Sequence, residues 1–495
     1  MKKATLLGVF VLVCTNIFAQ KDKELTDATV SKSKIESHIY FLASDELRGR
    51  DTPSPEQEIA ARYIATQLKS YGVKPLPAYP NYLQPVSMKS SKAPKEVTVS
   101  YKGKTLKLVE NTLLLDGKSL RTEVEAVFLD YGTSEDFDKI DVKGKIVVVK
   151  GGAAEEMNPQ GWFYKGKEKQ KKAMEKGAVA LIEFYNNPKL PWKFLVGYLN
   201  KESIDLDSEG GTSPTPSIPH IWINDGDWKE ASFWKEKKKM KVKLGIESGI
   251  IKKFTTYNVV GYVEGKDAKL KDDYVVYSAH YDHVGIDKAN AAKGDSIFNG
   301  ARDNAVGTVT VLSAAENIGK YPTNRSALFV LFTGEEKGLL GSRWFVEHSP
   351  LELKKMVYCF NSDNGGYNDT SVATIIGLGR TTADGFIKEA CQAYGLRATD
   401  DPAPEQGLFD RSDNVNFAKK GVPAPTFSLG FKAFDEEIGK YYHQVTDQAD
   451  NLDYEYLYKF FSAYVYSCRL IGNTSEKLFW RDGDKYFEVG KKLYE

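Results

Sequence analysis

The chain is poor in the residues that build disulfide, nucleotide or nucleic-acid devices. Its 495 residues hold only four cysteines and six histidines. Cys14 lies in a leader-like segment. The remaining Cys359, Cys391 and Cys468 are too few for a disulfide scaffold, so buried free thiols are expected. Neither sign of charge is in excess, with 68 Lys and Arg against 67 Asp and Glu. That balance argues against nucleic acid as a partner, because phosphate binding wants a basic surplus. Past the N-terminus no run approaches about 18 apolar residues, so no stable membrane insertion is expected. The nucleophile elbow G-x-S-x-G and the zinc pair H-E-x-x-H are both missing. Gly377-Leu378-Gly379 fails as a dinucleotide fingerprint because Thr382 takes the place of the third glycine. Gly117-Lys118-Ser119 fails as a phosphate loop because Thr112 takes the place of the first. With so few histidines, any metal site must also draw on carboxylates.

What is present supports a large globular protein. The 41% hydrophobic and 12% aromatic content excludes disorder as the dominant state. Met1-Lys2-Lys3, the apolar run Ala4 to Val13 and the small residue Ala19 read as a signal peptide over 1–19, so the protein is expected to be exported to the periplasm or beyond. Residues 20–115 are expected to begin the main domain. Ser54-Pro55-Glu56-Gln57 predicts a helix start, with Ser54 as N-cap, Pro55 at N1 and Gln57 closing a capping box. Ile59, Tyr63, Ile64 and Leu68 form its apolar face, and Gly72 ends it. Residues 116–250 belong to a β-rich insert with short runs such as Val124–Leu129 and Ile146–Val149. Its Lys-rich stretches Lys165–Lys176 and Lys235–Lys243 carry interleaved glutamates and read as solvated faces. From 251 to 495 apolar strands (Tyr274–Ala279, Ala327–Phe332, Met356–Asn361, Pro425–Leu429) alternate with helices (Val306–Ile318, Ala383–Tyr394). The alternation predicts a mostly parallel, doubly wound α/β sheet flanked by helices.

In such sheets ligands bind beyond the carboxyl ends of the strands. His280-Tyr281-Asp282-His283 comes after the first of these strands, Thr333-Gly334-Glu335-Glu336 after the second and Asp363 after the third. Arg302-Asp303-Asn304 precedes a helix, and Tyr442-His443 comes near the end. In an extended segment His280 and Asp282 share a side, which suits a metal ligand and a carboxylate that fixes its tautomer. By the same period His283 points away, and no direct role is expected for it. His280, Asp303 and Asp363 can hold one zinc ion, and Asp303, Glu336 and His443 a second, with Asp303 bridging. Glu335 is left over as a general base. Co²⁺ suits the same ligands.

These stretches resemble the co-catalytic zinc peptidases, the twenty-eighth metallopeptidase family, which includes bacterial leucyl aminopeptidases, aminopeptidase Y and glutamate carboxypeptidase II. The resemblance rests on Ser278–His283, Gly300–Gly307, Thr333–Ser342 and Tyr442-His443 with Asp447. It extends to Leu42-Ala43-Ser44-Asp45-Glu46-Leu47-Arg48-Gly49-Arg50. It implies a zinc exopeptidase fold, zinc ligands at His280, Asp303, Glu336, Asp363 and His443, Glu335 as base, and Asp282 orienting His280. Phe128–Gly132, Asp141–Val149, Lys176–Ala180 and Ile218–Ile221 are similar to the protease-associated domain, which makes His220 structural. Two places depart from the family's pattern. Asn414 stands where relatives carry His, and Asn364-Gly365-Gly366 comes after the third ligand in place of an apolar residue. The activity implied is hydrolysis of N-terminal residues from a peptide substrate by two zinc ions. A carboxypeptidase is the alternative, needing Arg302, Arg380 or Arg411 for a substrate carboxylate. A non-catalytic binding protein is the third reading, opposed by the complete ligand set.

Overall fold

The computed structural model describes residues 20–155, 159–207, 217–287 and 294–495. The expected signal peptide lies outside them. Two compact units are formed, one from the N-terminus to Val86 together with Thr255–Glu495, the other from Ser87–Phe254.

The first unit is built on β1 (Ile251–Val263), β2 (Tyr274–His280), β3 (Ser326–Phe332), β4 (Met356–Ser362), β5 (Val372–Ile376), β6 (Arg397–Thr399) and β7 (Thr426–Leu429). Their order across the sheet is β6-β5-β7-β4-β2-β3-β1. The central strands β3, β2, β4 and β7 run parallel, while β1 and β5 pair antiparallel with their neighbours β3 and β7. The expected parallel sheet is therefore its central block, flanked on each side by an antiparallel pairing.

The parallel strands are apolar throughout because both faces are covered. Successive side chains alternate faces, so Val275, Tyr277, Phe329 and Phe360 enter one core cluster while Val276, Leu328, Val330 and Cys359 enter another. The first cluster takes in α1 (Lys32–Leu42), α2 (Pro55–Ser70), α3 (Gly307–Lys320), α5 (Asp384–Ala393) and α6 (Tyr454–Asn473). The second takes in α4 (Leu340–Glu347) and the segment around Phe417 and Trp480. Cys359, Cys391 and Cys468 are buried and free. Among the described residues no helix is long and apolar enough to cross a membrane.

Helix α2 begins as its sequence predicts, with Ser54 Oγ accepting the Gln57 N–H at 3.0 Å. Its apolar face differs in one place. Ile59 is half exposed, and Ala60, Ala61 and Ala65 take the buried positions beside Ile64 and Leu68. The Gln57 side chain does not complete a capping box. It turns inward and donates to Tyr281 OH at 2.6 Å and Thr333 Oγ1 at 2.7 Å.

The second unit carries an eight-stranded sheet. Strands at 120–128, 146–150, 180–185 and 220–224 are parallel neighbours. The unit starts at Ser87, ahead of position 116, because Glu96–Tyr101 pairs antiparallel with Lys239–Glu247 and belongs to its sheet. The Lys-rich helix Pro159–Glu175 has one member that is not solvated. Lys169 is buried, with Nζ 2.9 Å from Glu183 Oε1. Glu183 also lies 2.6 Å from His220 Nε2 and accepts from Trp222 Nε1 at 2.8 Å. His220 is thus held in the interior of this unit.

Burial alone would push the Glu183 carboxyl up, yet Lys169, His220 and Trp222 hold it down to about 2. A carboxyl depressed from its ordinary 4.5 stabilises the fold above that value, and the contribution is lost as pH falls toward 2. Protection against amide exchange in the strand Ala180–Tyr185, taken relative to the intrinsic rate at each pH, is therefore expected to fall between about pH 4.5 and pH 2, and Glu183→Gln to flatten that dependence while destabilising the unit by about 3 kcal/mol. Equal protection in wild type and variant across this range would contradict the assignment.

Candidate metal centre

Each candidate side chain sits at a strand end or in the turn just beyond it. His280 closes β2, Glu335 and Glu336 come after β3, and Asp363 comes after β4. Asp303 lies in the irregular turn Ala301–Val306 that leads into α3. His443 has a positive φ of 53° and lies beyond the short helix Glu436–Gly439. Because β2, β3 and β4 are parallel neighbours, their ends converge on one rim.

His280 Nε2 lies 3.3 Å from Asp303 Oδ1 and 3.2 Å from Asp363 Oδ1. His443 Nε2 lies 3.1 Å from Asp303 Oδ2 and 3.2 Å from Glu336 Oε2. Ligand atoms of His280, Asp303 and Asp363 all come within 4.8 Å of one another, and so do those of His283, Asp303, Glu336 and His443. Asp303 presents one oxygen to each group. Glu335 lines the same pocket.

His283 is the residue that strand periodicity misplaced. Its Nδ1 is 2.9 Å from Glu336 Oε1. The extended segment ends at His280, so the period of two no longer governs position 283. The chain turns there, His283 N–H donates to Arg50 O at 3.3 Å, and Gly285 comes next but one with φ +88°. That glycine was the signal available in the sequence. The ring of His283 also presses on Gly300, where an added Cβ would come within 2.6 Å of it.

The Asp282 carboxylate serves a different group from the one expected. Its Oδ1 is 3.9 Å from His280 Nδ1 but accepts the Glu335 N–H at 3.1 Å. His280 Nδ1 instead lies 3.2 Å from the Asp282 main-chain oxygen. Asp282 thus fixes the backbone of Glu335 while its carbonyl sets the His280 ring.

The electrostatics arise from crowding buried acids. Burial, opposed by His280 and reinforced by Asp363, Glu336 and Asp413, raises the Glu335 carboxyl well above its usual range. Burial and Glu336 push Asp282 to about 6 against the pull of His280, and burial pushes Asp413 to about 7. Burial works against charge on the imidazoles, but the surrounding acids win. His443 is raised to about 10 and His280 well above its ordinary value. Asp303 is held low by His280 and His443, and Glu336 at about 2 by His283 and His443. Such a cluster demands positive charge at its centre. Imidazole nitrogens and carboxylate oxygens converging on two points are the donor set that a borderline divalent ion such as Zn²⁺ prefers. His283 Nε2 is buried without a hydrogen-bond partner, so its Nδ1 is the atom facing the cluster.

The ligand-bearing loops are tied to each other through buried groups that sequence periodicity did not flag. Asp447 accepts the N–H groups of Arg302 at 3.0 Å and of Asp303 at 3.2 Å, and also Arg302 Nη1 at 3.0 Å. The Arg302 guanidinium lies 3.7 Å from the centre of the Tyr441 ring. One ion pair thus locks the Asp303 turn to the loop bearing His443. Arg50 is fully buried and donates to Tyr281 O at 2.8 Å, Asn299 O at 2.6 Å and Gly300 O at 3.0 Å. Asp447→Asn is expected to weaken zinc binding by about 10- to 100-fold, read by competition with a chelator. Wild-type affinity in that variant would remove Asp447 from the support of the site.

The pattern of matches to other proteins agrees with this arrangement. Residues 258–467 match the model of peptidase family M28, and residues 105–230 match that of the PA domain. The chain is similar to "Aminopeptidase YwaD" of Bacillus subtilis, with 29% identity over 331 residues that cover 66% of this chain and 62% of the Bacillus protein. It is also similar to a "Probable leucine aminopeptidase" of Arthroderma otae, with 24% identity over 54% of this chain and 71% of the relative. The matched part therefore spans less than two thirds of the Bacillus relative's length. In three dimensions the fold matches that of an aminopeptidase from Aneurinibacillus sp. strain AM-1, with a TM-score of 0.58, 22% identity and coverage of 92% of this chain and 97% of that one. The strand-end cluster lies within the segment 258–467 that matches peptidase family M28, and the PA-domain match lies inside the second unit.

Proposed function

We propose that this protein is an exported zinc aminopeptidase that removes N-terminal residues from peptides, with Glu335 as general base. The observation that carries the reading is the sharing of Asp303 between two ligand groups, with Glu335 lining the same pocket. His280, Asp303 and Asp363 would hold one zinc ion. Asp303, Glu336 and His443 would hold the second, with His283 Nδ1 against Glu336.

Bound zinc would neutralise the acidic cluster, lower the pKa of water in the site to about 7 and polarise the scissile carbonyl. The chain's own residues do the rest. Glu335 is half-buried and lines the pocket, and its backbone is fixed by Asp282, so its carboxylate is placed to take a proton from water and return it to the departing amine. The acidic excess of the pocket attracts the ammonium of a free N-terminus. Its apolar wall, including Ile376, Leu408, Phe431 and Phe434, accepts the first side chain and keeps bulk water out. The readings of His280, Asp303, Glu336, Asp363 and His443 as ligands are supported by this convergence and by the family match over 258–467.

Glu335→Gln is expected to keep both zinc ions and lose about 10²- to 10⁴-fold in kcat. Near-normal turnover in that variant would refute its role as base. A peptide panel separates aminopeptidase from carboxypeptidase. Release of the first residue from free peptides, abolished by N-acetylation, is the expected result, whereas release of the last residue from N-acetylated peptides would assign a carboxypeptidase.

A further inference from the structure

We propose that Arg411 docks a carboxylate of the substrate, so that the pocket selects peptides bearing an acid remote from their free amine. This rests on the pocket being the peptide site described above. The carboxylate can come from two sources, the C-terminus of a di- or tripeptide or an acidic side chain.

Among the described residues lining the pocket, Arg411 is the only Lys or Arg. Its guanidinium donates Nη2 to Tyr442 OH at 3.3 Å, and among the described residues it forms no ion pair with an acid. The acid beside it in sequence, Asp410, is engaged elsewhere, accepting from Lys485 Nζ at 3.0 Å. The other two arginines that a carboxylate could call on are already committed. Arg302 pairs with Asp447 at 3.0 Å and stacks on Tyr441, and Arg380 pairs with Asp484 at 2.6 Å and stacks on Phe409.

The placement of Arg411 gives the pocket a polarity. Asp303, Glu335, Glu336 and Asp363 line the same pocket. The Tyr442 ring stacks on His443 with ring centres 4.2 Å apart, and its hydroxyl accepts from Arg411, so this aromatic pair connects the guanidinium to a candidate ligand of the acid cluster. An ammonium drawn to the acids and a carboxylate drawn to Arg411 would share this pocket, whose apolar lining includes Ile376, Leu408 and Phe431. A guanidinium has five N–H donors in a fixed fork, and one contact to a phenol leaves enough for a bidentate carboxylate.

The test measures binding of uncleaved peptides to zinc-loaded Glu335→Gln protein by calorimetry, beside Glu335→Gln combined with Arg411→Gln or Arg411→Lys. The probes are Leu-Gly-Gly, its C-terminal amide, and the amides of Glu-Gly-Gly and Gln-Gly-Gly. A roughly tenfold preference for Leu-Gly-Gly over its amide, lost with Arg411→Gln and partly kept with Arg411→Lys, is expected if the C-terminus is the source. A similar preference for the Glu over the Gln peptide, lost in the same way, would assign the side chain. Preferences absent from the start, or unchanged by Arg411→Gln, overturn the proposal. Loss of zinc from the Arg411→Gln protein also overturns it, because Arg411 would then hold the site and not the substrate. If instead the protein with intact Glu335 cleaves none of these peptides while the preference persists, the hydrolytic reading fails and the docking role of Arg411 stands.

Discussion

The structure turns on one electrostatic constraint, the crowding of buried Asp303 and half-buried Glu335, Glu336 and Asp363 around a common space. Removing a carboxylate from water costs several kcal/mol unless a positive partner is supplied. Here the partners are His280 and His443, whose rings are driven toward the charged state by the acids they face. A divalent ion meets the same need more completely, because it neutralises several carboxylates at once and fixes their geometry. The acid–imidazole pairing is a consequence of this one concentration of charge at the rim of a parallel sheet.

Holding that much like charge together requires a scaffold that cannot relax. The strands beneath it are apolar on both faces and sealed by helices, so the strand ends have little freedom. The loops are then cross-tied. Asp447 reads the backbone of Asp303, Asp282 reads the backbone of Glu335, and Arg50 gathers the carbonyls of Tyr281, Asn299 and Gly300. Arg50 comes from the N-terminal segment, so the residues ahead of α2 are part of the site's foundation. The fully buried guanidinium also adds a positive charge that Asp282 and Asp303 sense.

Much of this was legible in the sequence. The strands β2, β3, β4 and β7 stand out as short β-rich runs, and the residues just beyond β2, β3 and β4 point directly to the rim. His280, Asp303, Glu336, Asp363 and His443 were reachable because their positions depend only on strand ends and helix starts. His283 was not, because strand periodicity assumes an extended chain past the point where β2 stops. Gln57 fitted a capping box by spacing, but its amide found better partners in Tyr281 and Thr333 once the helix packed on the sheet. Lys169 was lost in a solvated-looking run because its partner Glu183 lies on a strand in a different part of the second unit's sequence. The flanking strands β1 and β5 lacked a local signature, since pairing across the sheet defines them. Arg50 and Asp447 tie loops through main-chain groups and Arg302 through an ion pair distant in sequence, and neither kind of contact leaves a local periodicity.

The account is tested most directly by anomalous diffraction at the zinc absorption edge from crystals of zinc-loaded protein. It predicts two peaks about 3.5–4 Å apart, one beside His280 and Asp363, the other beside Glu336 and His443, with Asp303 between them. A single peak, or peaks away from these side chains, would contradict it.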